Sequence, residues 1–216
     1  MQATALGAGA DAHEKAAMVP CWSCHGPVRA GDAFCGSCQA VQPPGQVDHF
    51  RRLGLPRAYV IDLGVLEKAY FQAQRQLHPD RFATRTAKEK ALSQQQATAL
   101  NDAYETLKDS LSRATYLAGL MGLNVLKEGC NALTDPVILM EAMEMREALA
   151  EAETEADVTQ VTKRAQDEIA DCEDEMKAAF AKGDLEALGT LLTRLKYLRK
   201  LADQTRLRRA ELRGRA

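Results

Sequence analysis

Two groups of residues in this 216-residue chain have types and spacings that could carry chemistry. The first is Cys21-x-x-Cys24 followed ten residues later by Cys35-x-x-Cys38. Each pair can set two thiolates on one side of a tight turn, and two such turns facing each other make a tetrahedral sulfur site suited to zinc. Gly26, Gly31 and Gly36 supply tight backbone. Other readings compete for the same residues. Cys21-Trp22-Ser23-Cys24-His25 spells the C-x-x-C-H pattern of covalent haem attachment. That chemistry normally goes with export and would leave Cys35 and Cys38 unexplained. A thioredoxin-like redox pair, or disulfides, is a further alternative, but the redox pair needs a strand–helix context that this stretch lacks. His25 could replace a cysteine as ligand, although four cysteines suffice. Structural zinc on Cys21, Cys24, Cys35 and Cys38 is therefore the expected cofactor, in a site closed to substrate.

The second group is Leu77-His78-Pro79-Asp80-Arg81-Phe82. Pro79 has no N–H and clashes with the preceding turn, so a helix arriving from upstream must stop near His78. No nucleophile or second base lies near in sequence and no oxyanion donor is evident, so a hydrolase built on His78 and Asp80 is a remote reading. A histidine, a fixed proline and an aspartate displayed at a corner suit contact with another protein.

The elements that must hold these groups are helices. Aromatic residues are 5% of the chain, hydrophobic residues 46% and charged residues 27%, with Ala, Leu, Glu, Gln and Arg abundant; such a composition favours helices over a large sheet. Lys and Arg total 28 against 30 Asp and Glu, so the net charge of −2 gives no support to nucleic-acid binding. No apolar run is long enough to cross a bilayer. Residues 1–19 are Ala- and Gly-rich, carry Asp11 and Glu14, and precede the first arginine, Arg29. They read as a disordered start, unlike a transit or signal peptide. The chain is expected in the (bacterial) cytoplasm, with the mitochondrial matrix as the alternative. In either reducing compartment six cysteines point to metal before disulfides.

The cysteine head spans 20–40. Gln42-Pro43-Pro44-Gly45-Gln46 breaks regular structure, so 41–47 reads as a linker. A short helix over 48–53 ends at Gly54 and Pro56. The next helix carries Leu63, Leu66, Tyr70, Ala73 and Leu77 on one stripe, and a return helix over 86–108 offers Leu92, Ala99, Ala103 and Leu107. The two stripes can zip into an antiparallel hairpin with His-Pro-Asp at its tip, and Phe82 and Tyr104 in its core. Lys68, Gln72, Arg75 and Gln76 line the outer side; Arg75 and Arg81 flank the corner and can steer it toward an acidic surface. Thr134-Asp135-Pro136 starts a third long helix. Its Ile138, Ala142, Met145 and Leu149 form a core stripe. Met140, Met143, Glu144 and Glu147, with Leu139 at the edge, form a second stripe that could be broad core or an adaptable binding patch. Helices over 157–182 and from 184 onward complete a bundle, and the closing arginines read as a solvated, fraying terminus. Cys130 and Cys172 read as plain thiols.

His-Pro-Asp between antiparallel helices resembles the J-domain, which stimulates ATP hydrolysis by DnaK-type chaperones. The flanks narrow the resemblance. Phe50-Arg51-Arg52-Leu53-Gly54-Leu55-Pro56, Leu77 to Ala83, Leu100-Asn101-Asp102-Ala103-Tyr104-Glu105-Thr106-Leu107-Lys108, Arg113-Ala114-Thr115-Tyr116-Leu117 and Leu139 to Glu147 are, in this order, similar to the HscB family of iron–sulfur cluster assembly. The similarity covers about 48–213, and the front extension resembles the cysteine-bearing extension of some members, notably mitochondrial ones. Ser110 stands where the family usually has proline.

The resemblance implies an all-α, L-shaped protein. It would consist of a J-domain over 48–121, a connection over 122–133 and an antiparallel three-helix bundle over 134–213, with the small metal head in front. It implies a co-chaperone and not an enzyme. His78, Pro79 and Asp80, with Arg75 and Arg81, would engage an HscA-like DnaK-type chaperone. Leu139, Met140, Met143, Glu144, Glu147 and Tyr197 would hold an IscU-type iron–sulfur scaffold protein. A general J-protein for unfolded clients and a metal- or redox-sensing co-chaperone are the rivals.

Overall fold

The computed structural model describes residues 17–123 and 136–215. The disordered start expected for 1–16, most of the expected connection over 122–133 with Cys130, and the Thr134-Asp135 helix start lie outside the described residues. Met18 and Val19 do not belong to a disordered start: Met18–Pro20 is strand β1, paired antiparallel with β2, Pro27–Arg29, in the register Val19 to Val28. Among the described residues seven helices follow: α1 His49–Arg52, α2 Leu63–Leu77, α3 Ala87–Lys108, α4 Ser110–Leu120, α5 Pro136–Ala150, α6 Glu155–Lys182 and α7 Leu185–Arg215. A 3-10 turn, Pro79–Phe82, joins α2 to α3.

The chain forms two compact units. One holds the described residues through Leu55 together with Glu67–Tyr104. It contains the cysteine head, α1, most of α2, the 3-10 turn and most of α3. The head is therefore not a separate bead on a linker. Val41 is fully buried and Gln42 nearly so, and Gln96 of α3 donates to the Gln42 carbonyl at 2.9 Å. The segment 41–47 thus begins in packed residues, although Pro43, Gly45 and Gln46 are exposed. Gly31 approaches Val47 closely: its φ is +96°, and a Cβ there would meet a Val47 methyl at 2.5 Å. In the hairpin, Leu77, Leu92, Leu100 and Ala103 are buried, and Tyr70 stacks on Tyr104 with ring centroids 4.2 Å apart. Leu100 was not on the expected stripe.

The second unit holds Pro56–Leu66 with the chain from Glu105 onward. Leu63, expected in the hairpin core, is instead 52% exposed. The α3–α4 junction is fixed by charge. Asp109 caps α4 by accepting from the Ser112 N–H at 2.7 Å and pairs with Arg199 of α7. Burial alone would raise its carboxyl; the Ser112 amide and Arg199 hold it below the ordinary aspartate range. Ser110 donates to Glu173 and accepts from Arg199. A proline would lack that hydroxyl, so here polar anchoring takes over the helix-stopping role. Arg113, 8% exposed, donates to the Tyr59 and Leu107 carbonyls and lies over the Tyr59 ring. It thereby satisfies groups at the end of α3 that water cannot reach.

Among α5, α6 and α7 the core is Ile138, Met145 and Leu149, then Val158, Val161, Ala165, Cys172 and Met176, then Leu188, Leu192, Leu195, Leu198 and Leu201. Thr154 and Asp157 make a reciprocal capping box at the start of α6, and Gly183, at φ +70°, ends it in the left-handed conformation. Arg208 and Arg213 do not belong to a loose, solvated terminus. Arg213 grips both carboxylate oxygens of Glu155 at 2.9 and 3.1 Å, and Arg208 donates to the Ala152 carbonyl at 3.0 Å. They tie the end of α7 to the start of α6.

Candidate functional site

The corner is built from α2 outward. His78 is extended (φ −58°, ψ 130°), as a residue before proline must be, and this stops α2 at Leu77. Pro79 then takes the first position of the 3-10 turn, where its missing N–H costs nothing. The His78 Nδ1 accepts the Asp80 N–H at 3.3 Å and lies 3.5 Å from the Asp80 carboxylate. Carbonyls left over at the end of α2 are also claimed. Buried Ser93 of α3 donates to Leu77 O at 2.8 Å, and Arg81 donates to Arg75 O at 3.2 Å. Phe82, 8% exposed, anchors the turn from below. The side chains of His78 and Asp80 are 49% and 91% accessible, and Arg75 and Arg81 are exposed. His78, Pro79, Asp80, Arg75 and Arg81 thus share one exposed corner, and Arg81 also fastens it.

The strip lies on α5. Leu139, Met140 and Met143 are 38%, 63% and 57% exposed, and Glu144 and Glu147 are exposed as well, while Ile138, Met145 and Leu149 point into the bundle. The second stripe is therefore surface and not broad core. Tyr197 of α7 is half-buried, with Arg146 of α5, one turn beyond Met143, over its ring at 5.8 Å. Arg164 of α6 reaches Glu144 at 3.6 Å. Neither arginine stood out in the sequence. Both belong to the rim of the strip only because α6 and α7 run beside α5.

The four cysteines converge. Their sulfurs all lie within 4.8 Å of one another, with Cys21–Cys38 and Cys24–Cys35 each at 3.7 Å. A tetrahedron of thiolates about 2.3 Å from a metal has edges of about 3.8 Å, whereas a disulfide needs about 2.05 Å. All four are free thiols in a geometry that fits a metal ion. The two knuckles repeat each other. The Cys21 N–H donates to Gly26 O, and the Cys35 N–H to Ala40 O. His25 and Gln39, each just after its second cysteine, sit at φ 61° and 59°. His25 is thus a left-handed turn residue paired by position with Gln39, which accounts for it without haem or ligation. Cys21 receives the Ser23 amide and the Gln42 side chain, both at 3.3 Å. Burial would raise its thiol, but the Cys24 and Ser23 amides outweigh this and bring it down to about 6. At Cys24 the Gly26 amide favours thiolate, yet the crowding of Cys38, Cys35 and Cys21 pushes it up to about 12. Thiols so crowded favour a cation among them. Gln42 gave no sequence signal, hidden as it was against Pro43-Pro44-Gly45.

The chain is similar to known proteins in sequence and in fold. Residues 134–206 match the family model described as the HSCB C-terminal oligomerisation domain. The mouse iron-sulfur cluster co-chaperone protein HscB is 34% identical over 196 residues, covering 89% of this chain and 83% of its own. The co-chaperone protein HscB homolog of Vibrio cholerae is 35% identical over 166 residues, covering 73% and 94%. Among solved structures, human co-chaperone protein HscB matches with a TM-score of 0.82 at 34% identity, covering 87% of this chain and 96% of that one. The Jac1 co-chaperone of Saccharomyces cerevisiae matches with a TM-score of 0.59 at 26% identity, covering 70% and 86%.

Proposed function

The chain belongs to the HscB family of iron–sulfur cluster co-chaperones, and from that membership we propose that it stimulates ATP hydrolysis by an HscA-like, DnaK-type chaperone and brings to it an IscU-type scaffold protein. The observation that carries this reading is that one chain exposes both a rigid His78-Pro79-Asp80 corner and, on its other compact unit, a strip of Leu139, Met140, Met143, Glu144 and Glu147. Holding both partners raises the effective concentration of one near the other. The corner performs no phosphoryl chemistry. It binds one conformation of the chaperone better than the other and so shifts the chaperone's own equilibrium. On this reading the protein is a non-catalytic adaptor of the bacterial cytoplasm or the mitochondrial matrix.

The test is chaperone ATPase with and without scaffold protein. Asp80→Asn is expected to abolish stimulation while scaffold binding persists; preserved stimulation would remove the corner from the mechanism. The rival general J-protein predicts that scaffold and unfolded client are transferred alike.

The metal of the head is zinc on this reading, held by Cys21, Cys24, Cys35 and Cys38. Four thiolates close the coordination sphere, and the head's own core is only Cys21, Val28 and Cys35 with Ala40 against them. So small a core needs the metal to supply folding energy. Native mass measurement should show one zinc per chain, lost in Cys35→Ser; a mass showing no bound metal would overturn this.

A further inference from the structure

We propose that the cysteine head is part of the chaperone-docking surface, because head and corner together enclose a cleft that fits an extended acidic segment of the ATP-driven partner. The inference rests on the co-chaperone reading above and gives the head a role in it.

The cleft, about 730 Å³, lies wholly within the unit that contains the corner. One wall is head: Trp22, Ser23, Phe34 and Gln39. The α2–α3 hairpin contributes Arg81, Phe82 and Arg85. The aromatic floor is fixed, since the Trp22 indole N–H donates to Val41 O at 2.7 Å. Lys88 Nζ stands 4.3 Å over the same ring. The acid in the wall, Glu89, is already engaged, accepting from the Thr86 amide at 3.0 Å and hydroxyl at 2.7 Å. Neither Arg81 nor Arg85 forms an ion pair among the described residues. Arg81, Arg85 with Glu89 close enough to feel its charge, Lys88 over the Trp22 ring and an apolar floor ask for carboxylates interleaved with apolar side chains.

Anchoring the head does not require this cleft. The buried Gln96–Gln42 bond already ties head to α3. The cleft is continuous with the corner through Arg81, so a protein segment approaching Asp80 runs directly into it. That continuity, and a volume of about 730 Å³, favour a peptide segment over a small anion.

Charge placed on the head wall tests this separately from the corner. In full-length, metal-loaded protein, Ser23→Glu should raise the concentration needed for half-maximal chaperone stimulation about fivefold at low ionic strength, with the maximal rate retained and the difference shrinking in salt. Ser23→Lys should not raise it. Arg85→Glu, on the hairpin side, should match Ser23→Glu and decides the matter if Ser23→Glu loses its metal. Half-maximal concentrations within twofold of wild type for Arg85→Glu and a metal-loaded Ser23→Glu would overturn the cleft. So would a shift equal for Ser23→Glu and Ser23→Lys. Stimulation that survives Asp80→Asn would instead remove the corner from the mechanism, and a wild-type protein that stimulates no DnaK-type chaperone would overturn the underlying co-chaperone reading.

Discussion

The corner and the strip are both exposed, yet they are held in opposite ways. At the corner the backbone itself is the device. Pro79 fixes one φ, His78 caps the turn, Ser93 and Arg81 claim the loose carbonyls of α2, and Phe82 pins it from beneath. The His78 and Asp80 side chains, with Arg75 and Arg81 beside them, are left to present. On α5 the backbone is ordinary helix, and the surface is made by side chains with many rotamers, Met140 and Met143, bordered by Glu144 and Glu147. A rigid corner loses little entropy on docking and suits a partner whose response depends on geometry. A thioether strip adapts to its cargo's shape, but must order its side chains to do so.

That contrast can be broken from either side. The largest effect is expected from Met140→Ala with Met143→Ala. Scaffold affinity should fall by about 2 kcal/mol, roughly 30-fold, in a binding titration. Thermal stability and scaffold-free chaperone stimulation should hold, because both methionines are more than half exposed. A matching loss of stability would return the strip to the core. A smaller effect is expected from Pro79→Ala, which keeps the His78 and Asp80 side chains and loosens only the backbone. It should weaken stimulation by about 1 kcal/mol, or about fivefold, at unchanged scaffold affinity. Unchanged stimulation would show that the side chains alone matter. The smallest effect is expected from Arg164→Ala. The Glu144 pair is 3.6 Å long and both partners are about half exposed, so thermal stability should move by less than about 0.5 kcal/mol. Scaffold affinity should change by less than about twofold; a larger change would enrol α6 in the scaffold face.

Much of this could be read along the chain because it is local. Leu77 must be followed by a break when Pro79 comes next. Two C-x-x-C pairs ten residues apart can close on one ion. Asp184 and Gly183 announce the boundary of α6 and α7. What escaped depended on partners distant in sequence. Ser110 looked like a missing proline, until Glu173 and Arg199 surrounded it. Arg208 and Arg213 looked like a loose basic tail, yet their partners are Ala152 and Glu155.

Two sites illustrate the division. The sequence alone determined that the chain is helical, where its helices turn, that four thiols form a set, and that His78, Pro79 and Asp80 stand together, since all of these follow from spacing and backbone sterics over a few residues. Only the tertiary structure decided that Met140 and Met143 face outward and that Gln42 and Gln96 fasten the head to α3. A 3.6-residue period marks which residues share a face, but burial of that face depends on which other helix covers it.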